Sequence, residues 1–289
     1  SESLNYIEKF FCFGRRDFEV LNKKFEKKIF YRTGSPRFDL CSQNFYEKKS
    51  SFLKKKNLRN FILISSSIQY PISFRSLASQ YDIRINPDSE KEEFLLYKEK
   101  NFFQKFRQNL EQIPFFIKLI IYLSENLIGH DIVVRPHPNE DIETWNKLLK
   151  RTKSTNIKII KDETLSEFIN FSECLIQSGC TSAIEAFVNK KKVISFVPTI
   201  YEDNFDSEFV NSLGIKASKN EEVLNLIRDN SKHTYKIEKN EFDYRIDLII
   251  DKKLSFENIV DHFCKINFNK DIKNYNSFNK LETYALFIN

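Results

Sequence analysis

Three observations predict an α/β fold built on a doubly wound parallel sheet. Between Asn60 and Val197 short apolar runs alternate with segments of helical periodicity. Each run ends in polar, glycine or proline residues, as buried strands do where they enter loops. A chain of 289 residues with 41% hydrophobic residues can bury the core of one large or two modest domains.

The elements follow in order. Lys9–Gly14 (KFFCFG) reads as a short strand, Arg15–Phe25 as a helix and Lys28–Tyr31 as a second strand, closed by a Thr33-Gly34-Ser35-Pro36 turn. This βαβ unit is too small to fold alone. Lys48–Lys56 is basic, lacks apolar periodicity and reads as a linker. Phe61–Ser65 (FILIS) is a strand running into Ser65-Ser66-Ser67. Glu92–Leu110 has helical spacing, and Phe115–Leu127 continues as a second helix after Pro114. Asp131–Arg135 (DIVVR) is a strand closed by Pro136-His137-Pro138. Ile142–Thr152 is an amphipathic helix with Trp145, Leu148 and Leu149 on one face and Asn139 as its cap. Ile157–Ile160 is a strand. Thr164-Leu165-Ser166-Glu167 has the form of a capping box opening a helix to Phe171. Cys174–Gln177 and Lys192–Val197 are strands flanking a Thr181–Asn189 helix. Glu221–Asp229 and Phe256–Lys265 read as helices. The expected domains are 1–56, the end of an N-terminal Rossmann-like domain with a linker; 57–268, a C-terminal Rossmann-like domain; and a 269–289 tail.

Composition narrows the function classes. The net charge of +6, from 46 basic and 40 acidic residues, permits an anionic substrate or an anionic membrane surface and requires neither. The longest apolar stretch, Ile113–Leu123, is broken by Pro114 and Lys118, so no spanning helix is expected. Ser1–Phe11 carries acidic residues and does not read as a secretory signal. Five scattered cysteines build neither a disulfide framework nor a Cys-x-x-Cys site, which predicts reduced thiols and a cytoplasmic location.

In an open parallel sheet ligands bind beyond the carboxyl ends of the strands. Two such ends carry unusual residues. In Arg135-Pro136-His137-Pro138-Asn139-Glu140 two prolines fix where the imidazole points, and the arginine adds a permanent cation, a pair suited to phosphate or carboxylate. In Gln177-Ser178-Gly179-Cys180-Thr181-Ser182-Ala183-Ile184-Glu185-Ala186 a strand meets a helix through glycine and two hydroxyls, where backbone N–H groups attract anions. Neither a Walker loop nor a dinucleotide fingerprint is present, and no motif pairs Cys180 with a base. A third segment, Thr33-Gly34-Ser35-Pro36-Arg37-Phe38-Asp39, leaves two readings open: Arg37 and Asp39 pair with each other or face a cleft.

Thr33–Leu40 (TGSPRFDL), Ile132–Glu140 (IVVRPHPNE), the 177–186 segment and Lys192–Pro198 together resemble a bacterial family of surface carbohydrate biosynthesis proteins. More broadly they resemble GT-B-fold glycosyltransferases. The His-Pro pair and the later Thr-Ser pair are similar to motifs of bacterial sialyltransferases and Kdo transferases, where both hold the phosphate or nucleotide of a CMP-activated sugar. A Gly-x-Pro-Arg-x-Asp motif also occurs in the polyglycerolphosphate transferases of teichoic acid synthesis. The resemblance implies a GT-B-like fold with a reduced or truncated N-terminal domain. It implies transfer of a sugar, a CMP-activated nonulosonate such as Kdo being favoured, from a nucleotide donor to a glycan or lipid-linked acceptor of polysaccharide or lipopolysaccharide synthesis.

On this resemblance Arg135 and His137 are the catalytic pair, His137 donating to phosphate or acting as general acid to the leaving group. Arg37, Asp39, Ser65, Ser66, Asn139, Glu140, Ser178, Gly179, Cys180, Thr181, Ser182 and Glu185 join them in binding substrate, with Glu185 accepting ribose hydroxyls. No Asp-x-Asp metal motif stands out, so neither metal nor cofactor is expected. Partners would be the donor, the acceptor and the anionic inner face of the plasma membrane, with no nucleic acid. The family's acidic catalytic residue has no match before Gly34, so the chain is a fragment or its base comes from elsewhere. The alternatives are a CDP-glycerol-type glycerophosphotransferase, a nucleotide-sugar epimerase, or a truncated, non-catalytic nucleotide-binding relative.

Overall fold

The computed structural model describes residues 7–25, 28–42, 46, 48–84, 92–150, 152, 154–161, 164–199, 207–229, 242, 244–246, 249–250 and 253–265. The expected 269–289 tail lies outside them. The chain divides into two compact units, Ser1–Asp39 with Lys239–Asn289, and Leu40–Glu238.

In the first unit β1 (Phe10–Cys12), α1 (Arg15–Lys24) and β2 (Phe30–Arg32) form the expected βαβ, the strands pairing parallel. It does not stand alone. A β-carbon on Gly14 would lie 2.0 Å from the Arg245 carbonyl oxygen, so only glycine admits that backbone. Phe11 packs against His262 and Phe263. The last helix therefore groups with the N-terminal piece and not with a 57–268 domain. Its rings cover apolar surface that a lone βαβ leaves open.

The second unit holds a six-stranded, all-parallel sheet. Its strands are β3 (Phe61–Ser65), β4 (Asp131–Arg135), β5 (Ile157–Ile159), β6 (Cys174–Gln177), β7 (Lys192–Phe196) and β8 (Ile215–Ala217), in the spatial order β5-β4-β3-β6-β7-β8. Counted from β3 this is 3-2-1-4-5-6, the doubly wound order whose direction reverses between β3 and β6. Strand alternation sends Ile62, Ile64, Ile132, Val134, Ile176 and Ile194 into one core cluster with Phe116, Leu119, Trp145 and Leu224. Phe61 points to the opposite face, where it meets Phe52 and Phe168.

Several elements differ from the sequence reading. The 48–56 linker is instead a helix, α3 (Lys49–Lys55), anchored by buried Phe52, whose ring lies 4.7 Å from that of Phe171. The Thr33–Pro36 turn opens α2 (Pro36–Ser42), with proline in the first helical position, where a missing N–H costs nothing. After α4 (Leu77–Arg84), the two expected helices around Pro114 are one 35-residue helix, α5 (Glu92–Asn126). Its apolar stripe of Ile113, Phe116, Leu119, Ile120 and Leu123 continues past the proline and packs on the sheet, which outweighs one lost backbone bond. The helix after β4, α6 (Ile142–Leu149), is capped by Asp141 through Glu143 N and Thr144 N, not by Asn139. Thr164 makes no side-chain cap on α7 (Leu165–Phe171), and Ser166 turns its hydroxyl to Glu185 instead.

Candidate active site

The ends of β4, β3 and β6 form one row. Ser65 sits in register with Arg135 on one side and with Gln177 on the other. With strands about 4.8 Å apart, the loops after β4 and β6 flank the Ser65–Ser67 loop at a separation of roughly 10 Å. The sheet order thus puts the Pro-His-Pro and Gly-Cys-Thr-Ser segments at strand ends on either side of β3, beside the switch point between β3 and β6.

On the β4 side, Arg135 is buried and its guanidinium carbon lies 4.8 Å from the Phe168 ring centroid. The ring stacks on the cation and helps to hold it without a hydration shell. His137 is half-buried, and its Nδ1 accepts the Asn139 N–H at 3.1 Å. A neutral imidazole so held carries its proton on Nε2 and presents it as a donor. Asn139 also reaches Gln69 Oε1 with its side-chain amide, at 3.3 Å.

Glu140 is fully buried. Its carboxylate accepts Ser66 Oγ at 2.5 Å, Trp145 Nε1 at 2.8 Å and the Ile68 N–H at 2.7 Å. Burial raises its pKa, and these bonds only oppose the rise. The sequence places Glu140 and Ser66 among substrate ligands; in the structure both are committed to each other, with Ser66 N also bonded to the Arg135 carbonyl.

On the β6 side, Gly179 takes φ 66° and gives its N–H to Asn211 Oδ1 at 2.8 Å. The Cys180 N–H goes to Gln177 Oε1 at 2.8 Å. Two donors that the sequence assigns to an anion are therefore occupied internally. Gln177 also donates to Ser195 Oγ and Asn211 Oδ1. What remains around the turn is hydroxyl and thiol: Ser178 is buried, Thr181 is exposed, and Cys180 Sγ lies 3.4 Å from Ser65 Oγ. Among the described residues Ser182 Oγ, on a residue 1% exposed, has no hydrogen-bond partner. The helix it opens, α8 (Ser182–Val188), is seven residues long, and Thr181 makes no side-chain cap.

Glu185, the expected ribose ligand, is fully buried and accepts Ser166 Oγ at 2.6 Å and the Cys41 thiol at 3.7 Å. Packing of α8 turns it inward. Arg37 and Asp39 belong to the first unit, where Arg37 is exposed. Asp39 is buried and accepts Ser255 Oγ and the Phe256 N–H, both at 2.9 Å, at the start of α11 (Ser255–Phe263), so it serves that helix end.

Sequence reasoning missed two residues here. Lys161 donates to the Glu140 carbonyl at 2.6 Å, and its place just after β5 was the available signal. Asn211 carries no signal at all, because its contact to Gly179 arises only from the packing of α9 (Ser207–Ser212). Among the described residues no three His, Cys, Asp or Glu side chains converge as a metal site, and no helix is long and apolar enough to cross a membrane.

No protein-family model matches the chain, and no curated protein matches it significantly. Solved structures do. The wall teichoic acid polymerase TagF superposes with a TM-score of 0.55 at 15% identity, over 93% of this chain and 59% of that one. The same polymerase in a variant form soaked with CDPG gives 0.51 at 16%, over 92% and 58%. The UDP-GlcNAc 2-epimerase of Methanocaldococcus jannaschii, in complex with UDP-GlcNAc and UDP, gives 0.50 at 16%, over 89% and 61%. The chain thus spans about three-fifths of the length of these structures. At such identities the likeness establishes the fold: this is an α/β chain with parallel sheets, of the GT-B-like class.

Proposed function

We propose that the chain is a glycosyltransferase of cell-surface polymer synthesis, binding the phosphate of a nucleotide-activated sugar across the ends of β4, β3 and β6. One observation carries the reading. The sheet order sets the loop that carries His137 and the turn that opens the Ser182 helix on either side of the Ser65 strand end, roughly two strand spacings apart.

Transfer leaves negative charge on the departing phosphate. Groups that donate more strongly to that charge than to the intact donor lower the barrier. His137 supplies a directed N–H, or a proton if charged, and Arg135 supplies fixed positive charge nearby. The reading invokes neither metal nor cofactor. The CMP-nonulosonate donor suggested by the sequence finds no support among these neighbours, whose structures were obtained with UDP-GlcNAc, UDP and CDPG. A second reading, glycerophosphate transfer, is supported by the CDPG soaked into the teichoic acid polymerase among these neighbours.

A thermal-shift panel of CMP, CDP, UDP and GDP tests this. A nucleotide that binds only the folded chain raises Tm by mass action. One or more should do so, and His137→Ala should abolish the rise. No response to any nucleotide, or equal responses from both proteins, would remove the reading.

A further inference from the structure

Glu140 is a buried carboxylate that the proposed chemistry does not use. Its side chain gathers three donors: Ser66 Oγ, the Ile68 N–H and Trp145 Nε1. Its own backbone is equally committed. The N–H goes to the His137 carbonyl at 2.8 Å, the carbonyl accepts Lys161 Nζ, and Ser73 pairs with it in an isolated bridge. One residue thus ties the loop after β3, the loop after β4, the first turns of α6 and Lys161, two residues past β5. A buried carboxylate is costly to hold, and an apolar side chain would fill the space without that cost.

The chemistry of the three partners says why an acid is present. All three donate. The Ser66 hydroxyl can turn, because it also lies 3.3 Å from the Arg135 carbonyl. The Ile68 N–H and the Trp145 indole N–H cannot turn, and they address opposite oxygens, Oε1 and Oε2. A glutamine of the same shape would therefore set its NH2 against one fixed N–H in either orientation.

We propose that Glu140 is a positioning residue for His137. Its carboxylate anchors the 137–140 turn to the loop after β3 and to α6, so that the Asn139 N–H stays on Nδ1 and the imidazole keeps its proton on Nε2. The role in catalysis rests on the function proposed above; the clamp itself does not.

The test is nitrogen-resolved NMR of histidine-labelled, ligand-free protein at a pH where the rings are neutral. His137→Ala identifies the signal among the four histidines. Wild type should show an Nε2–H ring at His137. Glu140→Gln should show averaged tautomers and bind the responding nucleotide about tenfold more weakly. Trp145→Phe, which removes one fixed donor and keeps the ring, should move both readouts in the same direction by less, and it serves if Glu140→Gln fails to fold. Ser66→Ala should leave the tautomer in place. A folded Glu140→Gln protein, or Trp145→Phe in its stead, that keeps the wild-type tautomer overturns the clamp, even if Tm falls. Averaged tautomers with no nucleotide binding in wild type would sustain the clamp and defeat the proposed function.

Discussion

Single residues carry this fold's polar economy. Asp131, 2% exposed at the start of β4, meets Arg59 through Nε and Nη2 on one oxygen and the Arg59 N–H on the other, with Lys158 Nζ at 3.3 Å. Burial pushes its carboxyl up, but these bonds and cations more than offset the push and hold it below the usual range. A depressed folded pKa gives stability that is fully present above the unfolded value of 3.8 and is lost as pH falls through the folded one. Asp131→Asn should therefore cost about 1.5–3 kcal/mol at neutral pH. In urea denaturation the gap from wild type should close as pH drops from about 5 toward 2. A gap that stays constant would show that the carboxylate's charge is not what counts. At this scale the sequence was read least well. Glu140 and Glu185 looked like ligands because a glutamate in a strand-end motif does, but burial turned both toward internal donors.

Elements were read better wherever the signal was local. The runs Phe61–Ser65, Asp131–Arg135 and Cys174–Gln177 form strands at the expected boundaries, because a parallel strand covered on both faces must be continuously apolar. β8, three residues at the sheet edge, was not anticipated, since so short a run has no pattern of its own. Pro114 misled in the opposite sense, as a breaker overruled by packing. Pro114→Ala restores a donor to the helix interior, toward the Leu110 carbonyl, and should raise stability by about 1–3 kcal/mol. Thermal or urea unfolding measures this. A loss of stability would mean that the seating of Phe116 and Leu119 depends on a bend at the proline.

At the scale of the whole molecule, the complete parallel sheet and both of its covering layers lie within Leu40–Glu238. Residues 40–238 expressed alone should unfold in one cooperative transition and keep the nucleotide response of the full chain. A broad, non-cooperative melt would show that the first unit is needed to complete the core. By itself the sequence determined the alternation of strand and helix and the polar residues that must stand at strand ends. These are local properties, written in apolar periodicity and in the backbone limits of glycine and proline. Only the tertiary structure decided that β3 lies between β4 and β6, that the His137 and Ser182 segments therefore stand at strand ends flanking β3, and that Glu140, Glu185 and Asp39 serve internal donors. Such outcomes depend on which distant segments meet, and a carboxylate binds a ligand or braces a loop according to the donors that packing brings to it.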